Sequence, residues 1–161
     1  MPLRPVSCAR ILLDHVSGYE GVNVLVADYD RWSRLCVSGV LSTAGFSVDE
    51  ASNGMSALRL ARHTRPHVVI VGHDLPEIAP SDLVGLLRSD PRTRDAAVLQ
   101  LSPARGGGVD ADGTISLPCG PIELFTSVLK ALAARHSQLL EDAAPKVEQP
   151  LGRTSRVPAA V

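Results

Sequence analysis

From Val22 onward, short β-branched runs alternate with segments whose apolar residues recur at helical spacing. Val68 to Val71 is wholly apolar, and Val22 to Ala27 and Ala96 to Leu101 are nearly so, as expected of strands buried on both faces. Phe46 to Ala51 alternates Phe, Val and Ala with Ser, Asp and Glu, the pattern of a half-buried strand, and Thr114 to Leu117 supplies a short fifth strand. Between these runs, Arg31 to Ala44 places Leu35, Cys36, Val40 and Leu41 at helical intervals, with Gly45 as a stop signal. Asn53-Gly54 marks a turn, and Met55 to His63 then sets Ala57, Leu58 and Ala61 on one face. Ser81 is placed to cap a helix with Leu83, Leu86 and Leu87 inward, ended by Asp90-Pro91. Ile122, Phe125, Leu129 and Leu132 mark a last amphipathic helix through about Ala134. Such alternation implies a parallel sheet with helices on both faces and right-handed crossovers.

The organisation expected is an N-terminal extension at 1–21, a folded domain at 22–136 and a disordered C-terminal tail at 137–161. Within the extension, Ala9 to Val16 fits a short helix. Net charge is -1 and no basic stripe occurs, so neither nucleic acid nor membrane is an expected partner. No run is long and apolar enough to span a bilayer, and the N-terminus is a poor signal peptide. Cys8, Cys36 and Cys119 are widely spaced and odd in number, which fits reduced thiols in a cytoplasmic protein better than a disulfide or zinc framework.

Four sequence pieces then fall in one order. They are Val24-Leu25-Val26-Ala27-Asp28, then Gly45-Phe46 followed by Glu50 to Leu58, then Pro66 to Pro76, then Arg88-Ser89-Asp90-Pro91. Over roughly residues 22–134 the chain resembles a response-regulator receiver domain. That resemblance implies a flavodoxin-like, doubly wound, five-stranded parallel sheet of order 2-1-3-4-5.

The receiver family moves a phosphoryl group onto an aspartate at the end of the third strand. Magnesium held by an acidic pair assists, with a Ser or Thr after the fourth strand and a Lys before a cis-prone proline after the fifth. Position by position, the resemblance places Asp28 on the first acid and Tyr29 on the second. The acceptor falls on Gly72, the hydroxyl on Ser102 and the lysine on Leu117, followed by Pro118. The aromatic switch position falls on Ile115. A phenol protonated at neutral pH is no hard-cation ligand, and glycine carries no nucleophile. The implied receiver is therefore degenerate, a pseudo-receiver with its magnesium site lost and no cofactor.

Other residues at this rim have two readings each. Asp28, Asp30 and Asp74 either gather around a cation, with Asp74 as a displaced phosphoacceptor, or act as solvated loop carboxylates. His73 is expected to be an exposed loop residue, and Ser102 to hydrogen-bond backbone at a strand end. Trp32 is either partly buried against the sheet rim or a partner anchor. Gly106-Gly107-Gly108 lacks the Gly-x-x-x-x-Gly-Lys pattern and reads as a flexible connector. Only fourteen residues, Pro103 to Ser116, join the fourth strand to the end of the fifth, so the fourth helix is expected to be shortened or absent.

The function expected on these grounds is non-enzymatic: a stand-alone, phosphorylation-independent interaction module of two-component signalling. The remnant pocket is Asp28, Tyr29, Asp74, Ser102 and Leu117. The docking surface is Trp32, Arg34 and Leu35, offered to a histidine kinase, a phosphotransfer protein or another signalling protein. The alternatives are an active receiver phosphorylated at Asp74, and a flavodoxin-like protein binding a nucleotide or flavin in a crevice above Gly72 less charged than the family's.

Overall fold

A computed structural model of the chain describes residues 21–102 and 111–143, with side chains described through Gln138. The Ala9 to Val16 helix, the glycine triplet and positions 144–161 lie outside the described residues. The elements run β1 (Asn23–Ala27), α1 (Arg31–Thr43), β2 (Ser47–Ala51), α2 (Gly54–Thr64), β3 (Val68–Val71), α3 (Pro80–Ser89), β4 (Ala97–Ser102), β5 (Gly113–Ser116) and α4 (Pro121–Ala143). All strand pairs are parallel, in the order β2-β1-β3-β4-β5. This is the flavodoxin-like order expected from the sequence.

The apolar runs are continuous because the central strands are covered on both sides. Val24, Val26, Val68, Ile70, Leu99 and Leu101 pack with Val37 and Leu41 of α1 and with Leu124, Phe125 and Val128 of α4. Leu25, Ala27, Val69, Val71 and Val98 face the other way, onto Ala57, Leu58 and Ala61 of α2 and Leu83, Val84 and Leu87 of α3. Burying each such Val or Leu contributes about 1.5–3 kcal/mol, so these two layers hold the strand ends in register. Phe46 and Phe125 meet in a tilted pair at 5.9 Å, joining the entry of β2 to α4.

Helix ends follow local chemistry. Asp30 caps α1 by accepting from the Ser33 amide, and Asn53 caps α2 by accepting from the Ser56 amide. Gly45, just past α1, has φ 102°, the left-handed conformation that suits glycine best. Ser81 does not cap α3. Pro80 opens that helix and Ala79 is its cap residue, without a side-chain bond. Proline is favoured at the first helical position because its missing N–H would be unbonded there anyway.

Leu86, read as facing inward, is corrected, and two other members of the periodic patterns, Leu35 and Ile122, also face solvent. The buried face of α1 is Val37, Ser38 and Leu41, while Leu35 and Cys36 are exposed. Leu86 is exposed, and Val84 takes its place beside Leu83 and Leu87. Ile122 is likewise exposed, at the start of α4. In each case the helix is where the pattern puts it, and the buried residue, Val37, Val84 or Leu124, stands two positions from the exposed one.

The last helix does not stop near Ala134, and positions 137–143 are not a tail: α4 continues to Ala143. Ser137 to Ala143 contains no glycine or proline, so polarity there did not oppose helix. Arg135 also anchors it, donating to the main-chain carbonyls of Arg94 and Asp95. β4 ends at Ser102 and β5 begins at Gly113, leaving the ten residues 103–112 to connect them. Among the described residues no helix lies in this connection. Asp112 closes it: its Oδ2 accepts from the Val98 amide at 2.7 Å and from Arg88 Nη2 at 2.8 Å.

Candidate functional site

The carboxyl ends of the strands bring Asp28, Gly72, Ser102 and Leu117 to one rim, as the sequence order requires. Asp28 follows β1 and Gly72 follows β3. The ladder carries on through them, with the Gly72 amide donating to the Ala27 carbonyl at 2.7 Å and the Asp28 amide to Ala51 at 3.0 Å. The Leu117 amide donates to the Ser102 carbonyl at 2.8 Å, so the exit of β5 is tied to the end of β4. The Leu117-Pro118 peptide is cis.

The side chain of Asp28 decides what this rim can do. Asp28 is only 6% exposed, and its carboxylate lies against Gly72. A β-carbon built on Gly72 would stand 2.8 Å from both Cγ and Oδ1 of Asp28 and 3.2 Å from its Cα. Real Cβ atoms do not come that close to a heavy atom, so this arrangement admits only glycine at position 72. Oδ1 of Asp28 is also held, accepting from the Asp30 amide at 3.0 Å.

Its neighbours are equally committed. Arg34 donates through Nη1 to the Asp28 carbonyl at 2.7 Å and pairs with Glu50 at 3.4 Å. Arg34 was expected on the docking surface, but its side chain is 15% exposed and braces α1 against β1 and β2. The carboxylate of Asp30 faces the first turn of α1 as its cap. Asp74 and His73 are exposed on the loop after β3. The gathering of Asp28, Asp30 and Asp74 around a cation does not form. Among the described residues, no group of three His, Cys, Asp or Glu side chains is placed to hold a metal. The magnesium of phosphoryl transfer does not fit the residues present: one buried carboxylate packed on a glycine, a phenol turned outward and a leucine offer no set of oxygen ligands.

Two of the remaining positions are apolar. Ile115 is buried in the core and Leu117 packs against it. Ser102 is buried at the rim. The Asp28 carboxylate lies in the space next to Gly72, so the rim there keeps a negative charge.

Beside the rim, aromatic and aliphatic side chains face solvent. Trp32 is 76% exposed, Tyr29 63% and Leu35 43%. Partial burial of Trp32 against the sheet rim, the blander expectation, is overturned. Trp32 lies in the first turn of α1 and points outward. Trp32 and Leu35 are three residues apart on one helix and so share a face.

Comparison with known proteins fits this geometry. No family model matches the chain. Among curated proteins, the response regulator MprA of Mycobacterium sp. (strain KMS) is 32% identical over 127 residues, covering 77% of this chain and 53% of that protein. The DNA-binding dual master transcriptional regulator RpaA of Synechocystis sp. is 28% identical over 132 residues, covering 73% and 55%. The chain thus spans about half the length of these relatives. Among solved structures, the chemotaxis response regulator CheY4 of Vibrio cholerae superposes with a TM-score of 0.62 at 27% identity, covering 68% of this chain and 98% of that one. Among the described residues no helix is long and apolar enough to cross a membrane.

Proposed function

The chain belongs to the receiver-domain family of response regulators in two-component signalling, and from that premise we propose that it works as a phosphorylation-independent protein-interaction module. One observation carries this reading: the Asp28 carboxylate occupies the space where the family's acceptor side chain would stand. A phosphoryl group needs a nucleophile there, a metal beside it and a cation opposite. Gly72, Tyr29 and Leu117 provide none of these. The module therefore takes no magnesium and catalyses no reaction of its own.

What it offers is a surface. Tyr29, Trp32 and Leu35 form an exposed apolar group at the entry of α1, and Trp and Tyr are the residues most often found as interface anchors. Arg34, beneath them, holds the helix at a fixed angle to the rim. The partner of this surface is a protein of the same signalling class, a histidine kinase or phosphotransfer protein that presents a helix to α1.

The test is incubation with a small-molecule phosphodonor, read by intact mass. No acid-labile adduct is expected. An adduct that disappears in Asp74→Asn would overturn the proposal and assign the acceptor to Asp74. Binding is measured in parallel with Trp32→Ala and Leu35→Ala against kinases and phosphotransfer proteins of the host. Loss of binding in both variants, with folding intact, is the supporting result, and binding indifferent to both would remove α1 as the docking surface.

A further inference from the structure

At the end of the sheet opposite Gly72, the chain from the C-cap of α2 into β3, the loop leading into β4 and the middle of α4 line an open cavity of about 240 Å3. Its polar walls are the guanidinium groups of Arg65, Arg92 and Arg135, the imidazoles of His67 and His136, and a single carboxylate, Asp95. In a chain of net charge -1, this is a local concentration of cations.

The individual groups are arranged to keep that charge available. Arg135 donates from Nε to the Asp95 carbonyl, from Nη2 to the Arg94 carbonyl and from Nη1 to Gln138 Oε1. All three acceptors are neutral, so the guanidinium is fixed in place with its charge uncompensated. Arg65 forms no ion pair among the described residues. It sits at the C-cap of α2 with φ 49°, a left-handed position that glycine occupies more easily. His67 accepts the Asn23 amide on Nδ1 at 3.1 Å, which leaves the proton on Nε2 as a donor. Arg92 shares Asp90 with Arg62, at 3.6 and 2.8 Å, so its charge is only partly offset.

We propose that this cleft binds a compact polyanion of the diphosphate class. The planar fork of arginine matches phosphate oxygens, and the nearby carboxylates are already shared, Asp90 between Arg62 and Arg92 and Asp95 with Arg94, which leaves Arg65 and Arg135 without a counter-charge among the described residues. The cavity is smaller than the roughly 300–1,000 Å3 typical of drug-sized ligands, so it suits a charged group rather than a large apolar body. It is a concave cleft and not an extended groove, which favours a small ligand over an acidic peptide strand. The site is independent of the reading of Gly72, since β3 separates the two ends by roughly 16 Å.

The test is calorimetric titration of the full chain with pyrophosphate at low ionic strength, with ADP as a second arm. Saturable binding of pyrophosphate is expected, weakening as salt is added. Arg65→Gln combined with Arg92→Gln should weaken it by roughly tenfold or more, since each lost bond is charge-assisted. Asp95→Asn should strengthen it. Arg59→Gln, exposed on α2 outside the cleft, should leave it unchanged. Binding of ADP alongside pyrophosphate supports a diphosphate carried on a nucleotide, and binding of pyrophosphate alone supports a free one. Absence of saturable binding in both arms overturns the proposal, as does equal weakening by Arg59→Gln. So does binding of an acidic peptide without any response to pyrophosphate.

Discussion

A β-carbon on Gly72 would stand 2.8 Å from the carboxylate carbon of Asp28, so these two residues are fitted to each other. The aspartate fills the volume that the missing side chain would need. Restoring the family's nucleophile therefore meets a steric and a like-charge obstacle together. Gly72→Asp should lower stability by about 1–3 kcal/mol, as overpacking does, without creating a phosphoacceptor. Gly72→Ala should cost nearly as much, and Asp28→Ala should recover much of the loss when combined with it. Thermal melts of the three variants check this. A Gly72→Ala protein as stable as the parent would show that the carboxylate moves aside freely.

Asp112 holds the entry of β5 through two charge-assisted bonds to one oxygen, from the Val98 amide and from Arg88. Arg88 in turn donates to the Ala96 carbonyl at 2.9 Å, tying the end of α3 to the start of β4. Asp112→Ala should destabilise the domain by about 1–3 kcal/mol, because it leaves a buried strand amide without its acceptor. Hydrogen exchange at Val98 should accelerate more than exchange at Val69 on the central strand. Equal protection in parent and variant would count against this role.

Asp90 sets an acid limit. Its carboxyl is held below the usual carboxylate range, first by the Arg92 backbone amide and then by the side chains of Arg62 and Arg92. A depressed folded-state pKa contributes stability above the unfolded value, and that contribution is lost as the pH falls through the folded value. Stability should therefore decline below about pH 4, the ordinary aspartate value, and Asp90→Asn should flatten the decline. Chemical denaturation across that range measures it. A variant with the same acid slope as the parent would exclude Asp90 as a cause.

The two described cysteines should differ in reactivity. Burial, helped by the nearby Glu123 charge, pushes the Cys119 thiol up, whereas Cys36 is exposed on α1. Since the thiolate is the nucleophile, iodoacetamide at neutral pH should alkylate Cys36 well before Cys119. Peptide mapping over a time course reads the order. Glu123→Gln should narrow the gap, and labelling of Cys119 first would contradict this account.

The strand positions were legible because Val68 to Val71 and its neighbours are apolar throughout, and the sheet order was legible through the resemblance to receiver domains. The rim positions were legible because register fixes which residue closes each strand. Side-chain phase was less so. Leu86 fits the inward pattern, and contact with the neighbouring layer selected Val84 instead; Leu35 and Ile122 share the helical spacing of their segments, and Val37 and Leu124 are buried in their place. The end of α4 was misread because polarity was taken for disorder, although Ser137 to Ala143 carries no helix breaker. The packing of Asp28 on Gly72 could not be read at all, because it depends on a rotamer and not on spacing. The cationic cleft was missed for a related reason: Arg65, Arg92 and Arg135 lie far apart in sequence and meet only through the crossovers.

Arg34 has a further consequence. Bound to the Asp28 carbonyl and to Glu50, it clamps the aromatic face of α1 to the rim. A conventional switch reports by the fraction of molecules in each form. On the proposed reading this protein has one form, so a cell could vary only how many copies it holds. Its message would then be written in synthesis and degradation, and a titration of copy number against output, not a search for a modification, would reveal it.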